Sequence, residues 1–207
     1  VGAHENATAA VAEAAARAGV ERIVYLSILG SEPGSPNACL ASKGRAEQAL
    51  LSYSVPATVI RLPMVLGDGD LASRALRGEA QARVLPLRGG GTSVEQPIAA
   101  EDVVQAILHA LERPELAGRA LDLAGPESLP AKELALRAAA LYGNRPFVVP
   151  VPAALAKLAL RVLSIFTSDP PVTEPMLEVL LHDDRIDPLP AARELGIELT
   201  PLDAVLA

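Results

Sequence analysis

Tryptophan is absent from this chain of 207 residues, and three Tyr and two Phe are its only aromatics. A core without large rings must be filled by small and branched aliphatics. Half of the residues are hydrophobic, which suffices for one sizeable core and a small annex. A single cysteine excludes an internal disulfide framework and suits a reducing compartment. No cluster of Lys and Arg exists, and a formal charge of −7 argues against nucleic acid or an anionic membrane surface as the main partner. Long apolar runs are also missing. The longest, Val151 to Phe166, falls short of the ~20 residues of a membrane span and carries Lys157 and Arg161, so no membrane span is expected. The first residues have neither a basic region nor an unbroken apolar stretch, which excludes a signal peptide and makes a cytoplasmic protein the expectation.

What is present is an alternation of helix and strand. Asn6 to Ala18 is an Ala-rich helix with Val11, Ala14, Ala15 and Ala18 on one face and Gly19 as its C-terminal stop. The β-branched run Ile23 to Ser27 predicts a strand, Lys43 to Tyr53 a helix, and Ala57 to Leu62 a second buried strand. Repetition of this unit marks a parallel α/β sheet. A loop-rich stretch with GDGD and RGGG turns follows, then an extended piece from Val94 to Ile98. Asp102 to Glu112 is an amphipathic helix with Val103, Val104, Ile107, Leu108 and Leu111 as its apolar positions, and His109 on the polar side. Leu121 to Ala124 is a short strand, and Ala131 to Tyr142 a helix opened by Pro130 and closed by Gly143. From Pro146 the texture changes to Pro-rich turns between short helices, with Thr173 as an N-cap, Gly196 as a stop and Thr200-Pro201 opening a last turn. This sets an expected boundary between a first domain over 1–145 and a small helical subdomain over 146–207.

Five segments carry a family resemblance by their order. They are the strand ending in Ser27, SKGRAE with Lys43 and Glu47, VIRLPMVLGDGD, EQPIAAEDVVQAI and LDLAGPESLPAKELA. Together they resemble the atypical and extended short-chain dehydrogenase/reductases, of the NAD(P)-dependent epimerase/dehydratase kind. The tail, PPVTEPMLEVLLHDD and ELGIELTPLDAVL, is similar to the end of proteins resembling the reductase-like accessory subunit of respiratory complex I. The resemblance implies a Rossmann-type parallel sheet whose first βα units are missing, with a small mainly helical C-terminal subdomain. It implies NADP or NAD as cofactor and a small-molecule substrate. Yet the strand, Gly-rich turn and helix that receive a pyrophosphate are not found, because neither GDGD nor RGGG lies between a strand and a helix in the required way. Two accounts fit. Either the sequence is a piece of a longer dinucleotide-binding protein, or it is whole and the edge of the Ile23 to Ser27 strand is covered by a partner or a second copy.

Residue by residue, the resemblance places Ser27, Cys39 and Lys43 at the catalytic positions. The family carries a Tyr four residues before the Lys, and here that residue is Cys39. A thiol titrates near ~8.5 rather than ~10, and its sulfur stops at the γ position, short of a carbonyl placed for a Tyr. Proton relay is therefore expected to be lost, leaving weak or no oxidoreductase activity. Lys43 contacts the cofactor ribose in such proteins, and Gly2, His4, Pro63, Met64 and Val65 fall on the cofactor side, the last three where backbone amides meet the nicotinamide. Gln96 and Pro97 match the substrate side. Arg61 is expected to be structural, and Asp102 suits either the cleft or the helix start. Asp68 and Asp70 lack the later ligands of a calcium loop, so no metal site is expected. His182, Asp183 and Asp184 fit a polar helix terminus. Two other functional classes stay open. One is an active reductase, epimerase or dehydratase with another acid such as His4, and the other is a docking module that uses the apolar Val151 to Phe166 stretch and the bare strand edge.

Overall fold

In a computed structural model of the chain, residues 3–152, 154–155, 178–179 and 182–206 are described. Most of the apolar stretch 151–166, Thr173 and Gly2 lie outside these residues. The architecture is α/β, as the helix and strand alternation implies. A three-stranded parallel sheet runs in the order β1 (Ile23–Ile28), β2 (Ala57–Leu62), β7 (Ala120–Asp122). Four residues of β2 in a row, Ala57 to Ile60, are buried, as expected of a strand covered on both faces.

One face of the sheet carries α1 (Ala3–Ala18) and α2 (Ala38–Leu51), which close over Ile23, Tyr25 and Ala57 with Ala12 and Leu50 between. The other face carries α4 (Ala100–Glu112) and α6 (Leu189–Leu195), where Ile60, Leu62, Leu121 and Leu123 meet Val103, Ala106, Ala110, Ala191, Ala192 and Leu195. Residues 189–195 thus share one core with residues 57–123.

Between β2 and β7 the chain makes β3 (Val65–Leu66), α3 (Leu71–Gln81), β4 (Val84–Arg88), β5 (Val94–Glu95) and β6 (Ile98–Ala99). After β7 come β8 (Leu129–Pro130), α5 (Ala131–Leu141), β9 (Phe147–Val151) and, last, α7 (Leu202–Leu206). These strands form three two-stranded pairs, with β3 parallel to β6, β4 parallel to β9 and β5 antiparallel to β8. The extended piece expected over Val94 to Ile98 is therefore two strands in different sheets, turned at Gln96-Pro97.

Several expectations need correction. Helix α2 begins at Ala38 rather than Lys43, because Asn37 caps it, its Oδ1 accepting the N–H of Cys39 at 2.9 Å and of Leu40 at 3.1 Å. Helix α3, read in the sequence as loop, starts on the Asp70 side chain, which accepts the Ser73 N–H at 2.9 Å. On α1 the buried positions are Thr8, Ala12 and Ala15, while Val11 is 61% exposed, since close packing against α2 admits only small side chains. On α4 the core takes Val103, Ala106 and Ala110, and leaves Val104, Leu108 and Leu111 on the surface at 50%, 48% and 42% exposure. His109, expected on the exposed polar side, is half-buried with Nδ1 at 2.9 Å from the Leu195 carbonyl.

One ion pair ties the sheet to α2. Glu47 on α2 is only 3% exposed, and Arg61 on β2 reaches it through Nε at 2.9 Å and a terminal nitrogen at 2.6 Å, while also facing Asp122 of β7 at 3.4 Å. The Glu47 hydrogen bond, outweighing partial burial, raises the Arg61 pKa above its ordinary value. Arg61→Met should lower unfolding free energy by about 3 kcal/mol, because it strands a sealed carboxylate. Adding Glu47→Gln should recover most of that loss in urea titration. Full stability in the single variant would show that the pair contributes nothing.

Candidate functional site

The loop between β1 and α2 gathers the residues singled out as catalytic. Strand β1 ends in a turn in which the Ser31 N–H donates to the Ile28 carbonyl at 3.1 Å and Gly30 adopts φ +75°. Ser27 is buried and its hydroxyl donates to Ser31 Oγ at 3.2 Å, so the pair is an internal polar contact under the turn. Leu29, two residues beyond Ser27, is buried and apolar.

Cys39 sits half-buried in the first turn of α2, and Lys43 lies one turn further along the same helix face. The Lys43 ammonium rests over the Tyr25 ring, 5.3 Å from its centroid, a cation–π contact. Tyr25 and Ser27 alternate onto the same face of β1, so Ser27 and Lys43 address one side of the sheet. The amides of the first turn of α2 are partly spent on Asn37.

Next to this lies the end of β2, since Ser27 pairs with Arg61 and Ile28 with Leu62. Pro63, Met64 and Val65 leave the strand there, each half-buried. The Met64 carbonyl accepts the Ile98 N–H at 3.0 Å, while its side chain packs near Leu129 and Leu202. His4 is exposed in the first turn of α1, beside Glu5, which accepts Arg45 Nε of α2 at 3.2 Å.

Gln96 is 2% exposed and brackets three pieces of chain. Its Nε2 donates to the carbonyls of Gly125 at 2.8 Å and Ile186 at 3.2 Å, and its Oε1 accepts the Ile186 N–H at 3.0 Å. Pro97 is buried against Gly125, where an added Cβ would stand 1.8 Å from the Pro97 carbonyl oxygen. Asp102 clasps the C-terminal stretch, accepting the Thr200 N–H at 2.8 Å and hydroxyl at 2.7 Å. Among the described residues no group of three His, Cys, Asp or Glu is arranged to hold a metal ion. A cavity of about 510 Å³ opens elsewhere, between α3, α5 and α7, around Ser73, Arg77, Tyr142 and Thr200.

Residues of the 178–187 stretch were not expected at the site. Asn37 Nδ2 donates to Glu178 Oε2 at 3.2 Å, and the His182 ring lies against Gly30, its Nε2 3.2 Å from where a Cβ would stand. The polar run HDD offers a sequence signal only in retrospect, because long-range placement of a terminal segment has no periodicity.

This parallel sheet, sandwiched between helices, is a Rossmann-type α/β fold. No protein-family model matches the chain. It is 32% identical over 141 residues to the mitochondrial NADH dehydrogenase (ubiquinone) 1 alpha subcomplex subunit 9 of Arabidopsis thaliana, covering 67% of this chain and 35% of that protein. The Mus musculus protein of the same name is 26% identical over 203 residues, 96% of this chain and 53% of that one. The chain therefore spans between about a third and a half of these relatives. In fold it matches a dTDP-glucose 4,6-dehydratase from Streptomyces venezuelae, solved with NAD bound, at a TM-score of 0.68 and 21% identity, over 96% of this chain and 63% of that one. The resemblance to the accessory subunit of complex I is found in sequence, and that to epimerase/dehydratase-type enzymes in fold. Both relatives are mitochondrial by name, so the cytoplasmic expectation does not extend to them. Among the described residues no helix is long and apolar enough to cross a membrane.

Gln96→Leu should cost about 3 kcal/mol, since it leaves the Gly125 carbonyl and both Ile186 backbone groups unpaired at a buried point. Chemical denaturation of the variant measures this, and a loss under about 0.5 kcal/mol would mean that the bracket is dispensable.

Proposed function

We propose that the protein is an NAD(P)-binding, short-chain dehydrogenase-like component with little or no oxidoreductase activity of its own. The observation that carries this reading is the pair on α2, with Cys39 where a Tyr would serve as acid and Lys43 one turn on, its ammonium held over Tyr25. A bound nicotinamide would supply hydride chemistry. Lys43 would meet its ribose, and the backbone of Pro63 to Val65 its amide group, with Gln96 and Pro97 on the substrate side. His4, in the first turn of α1, belongs to the same proposal, and Gly2 is included in it from the sequence alone.

The donor set fits the nicotinamide end alone. A pyrophosphate needs free amides at a helix start, and Asn37 already occupies two of those on α2. Contrary to the sequence expectation, the GDGD turn does join a strand, β3, to a helix, α3, but its Gly67 N–H donates to Asp70 and Ser73 and the Asp70 carboxylate caps the helix, so its amides are not free for a phosphate. We infer that the cradle is supplied by polypeptide corresponding to the part of the relatives that this chain does not match. The choice between NADP and NAD would be made there too.

A second reading, a docking module of a larger assembly, is favoured by a specific surface. Val104, Leu108 and Leu111 line the outside of α4, and Leu26 of the edge strand β1 is 39% exposed. Contiguous apolar surface of this sort marks interaction sites. The subunit names of the relatives support the same direction.

NADPH and NADH binding, measured on this chain and on any longer polypeptide whose coding sequence contains it, tests the first reading. The longer protein should bind, Lys43→Ala should weaken it about tenfold through loss of one charge-assisted contact, and Cys39→Tyr should raise carbonyl reduction without changing affinity. Robust turnover by the unmodified protein, abolished in Lys43→Ala, would overturn the low-activity reading. For the second, Leu108→Glu should reduce self-association or capture by a defined complex I preparation in sedimentation. Unchanged behaviour would remove the surface from consideration.

A further inference from the structure

The cavity of about 510 Å³ between α3, α5 and α7 has the size of a small-ligand site and shares no lining residue with the nucleotide side. Its floor is apolar. Leu66, Ala99 and Ala138 are buried there, and Leu76, Val205 and Leu206 are half-buried. Its walls are pinned by hydrogen bonds. The Gly67 N–H donates to the Asp70 carboxylate at 2.8 Å and to Ser73 Oγ at 2.9 Å, which fixes the turn before α3. Asp102 clasps Thr200 on the opposite wall, just before α7. A pocket shaped before its ligand arrives loses little binding energy to ordering.

Four polar side chains stand on this cavity, Asp68, Arg77, Glu101 and Tyr142, all of them exposed. Among the described residues none of the four makes a side-chain hydrogen bond or ion pair. Backbone register brings the two carboxylates together. In the parallel pair of β3 and β6, Leu66 stands opposite Ala99, and a Cβ added to Gly67 would lie 2.5 Å from the Ala100 Cβ. Asp68 and Glu101, one residue further on each chain, therefore leave the pair at the same end. Arg77 stands apart from them on α3, one turn beyond Ser73, and is the only cation lining the cavity. A simple anion would meet two carboxylates there, and a simple amine would meet the guanidinium. A wholly apolar molecule would strip water from charges that gain nothing in return. A molecule with one charge of each sign and an apolar body answers all of these groups at once.

We propose that this cavity binds a small zwitterion with an apolar body, of the class of short apolar peptides with free ends. The ammonium lies against Asp68 and Glu101, the carboxylate takes the Arg77 guanidinium, and the apolar side chains cover Leu66, Leu76 and Ala138. This site is independent of the nucleotide reading, since it uses none of the residues assigned to the dinucleotide.

Leucyl-leucine titrated into the protein should bind with a Kd on the order of 1 mM or tighter and shift the NMR signals of the Tyr142 ring and the Ala138 methyl. N-acetyl-leucyl-leucine, which lacks the ammonium, and leucyl-leucine amide, which lacks the carboxylate, should each bind about tenfold more weakly through loss of one charge-assisted contact. Arg77→Met should erase the preference for leucyl-leucine over its amide. Asp68→Asn combined with Glu101→Gln should erase the preference over the acetylated form. All three positions are exposed and without side-chain partners, so an unchanged unfolding midpoint is expected to accompany these effects. No signal shift at up to about 10 mM leucyl-leucine, equal binding of free and blocked dipeptides, or variants that keep the parent's preferences would overturn the proposal.

Discussion

A nearly sealed carboxylate on α2 has one place to find a counter-charge, and that place is Arg61 at the C-terminal end of β2. The requirement fixes how far α2 can slide or turn over the sheet, because losing the pair would leave Glu47 charged in a poorly solvated position. Asp122 of β7 takes a further nitrogen of the same guanidinium, so three elements are pinned where the strands end. Lys43 lies about one turn and Cys39 about two turns before Glu47 on the same helix, and their position over β1 inherits this constraint.

With α2 fixed, the polar groups around the site are satisfied mostly by one another. Ser27 meets Ser31, Asn37 meets the first amides of α2, the Met64 carbonyl meets Ile98, and Lys43 finds the Tyr25 ring. Such a set is rigid in the sense that each group would lose a partner on moving. It also explains why a thiol is tolerated at position 39. Cys39 packs half-buried as a small soft residue at a helix start, and the helix is capped by Asn37 whether or not a phenol follows.

How much of this was legible depends on whether the cause was local. Strand β2 was readable to the residue, because Ala57 to Leu62 is a run of β-branched and apolar residues, interrupted only by Arg61, between Pro56 and Pro63. The stop at Gly19 was readable because a left-handed backbone, φ +69°, favours glycine. The start of α2 was not, since Pro36-Asn37 looks like more of a Gly, Ser and Pro loop until the Asn side chain turns out to cap the helix. Helix α3 was hidden by the same effect, its N-cap Asp70 lying in the GDGD turn. On α4, periodicity gave the right helix and too wide a buried face, because the sheet beneath needed only Val103, Ala106 and Ala110. The roles of Gln96 and His182 were illegible for another reason. Each depends on where residues 182–187 return to the body, a pairing across about ninety to a hundred and fifty positions that no local pattern encodes.

The open edge of β1 and the candidate site are not independent surfaces. In the parallel pair with β2, the N–H groups of Ile23 and Leu29 donate to Pro56 and Leu62, so by alternation Val24, Leu26 and Ile28 turn theirs outward. Leu26 is an exposed apolar side chain on that strand, and Val104, Leu108 and Leu111 are exposed on α4. Any polypeptide that adds to the edge would end beside Ile28, whose carbonyl already anchors the turn through Ser31. That turn carries Gly30, and Gly30 carries His182. Polypeptide added along the edge would thus border the same turn that His182 packs against, so the two surfaces meet at Ile28 to Ser31.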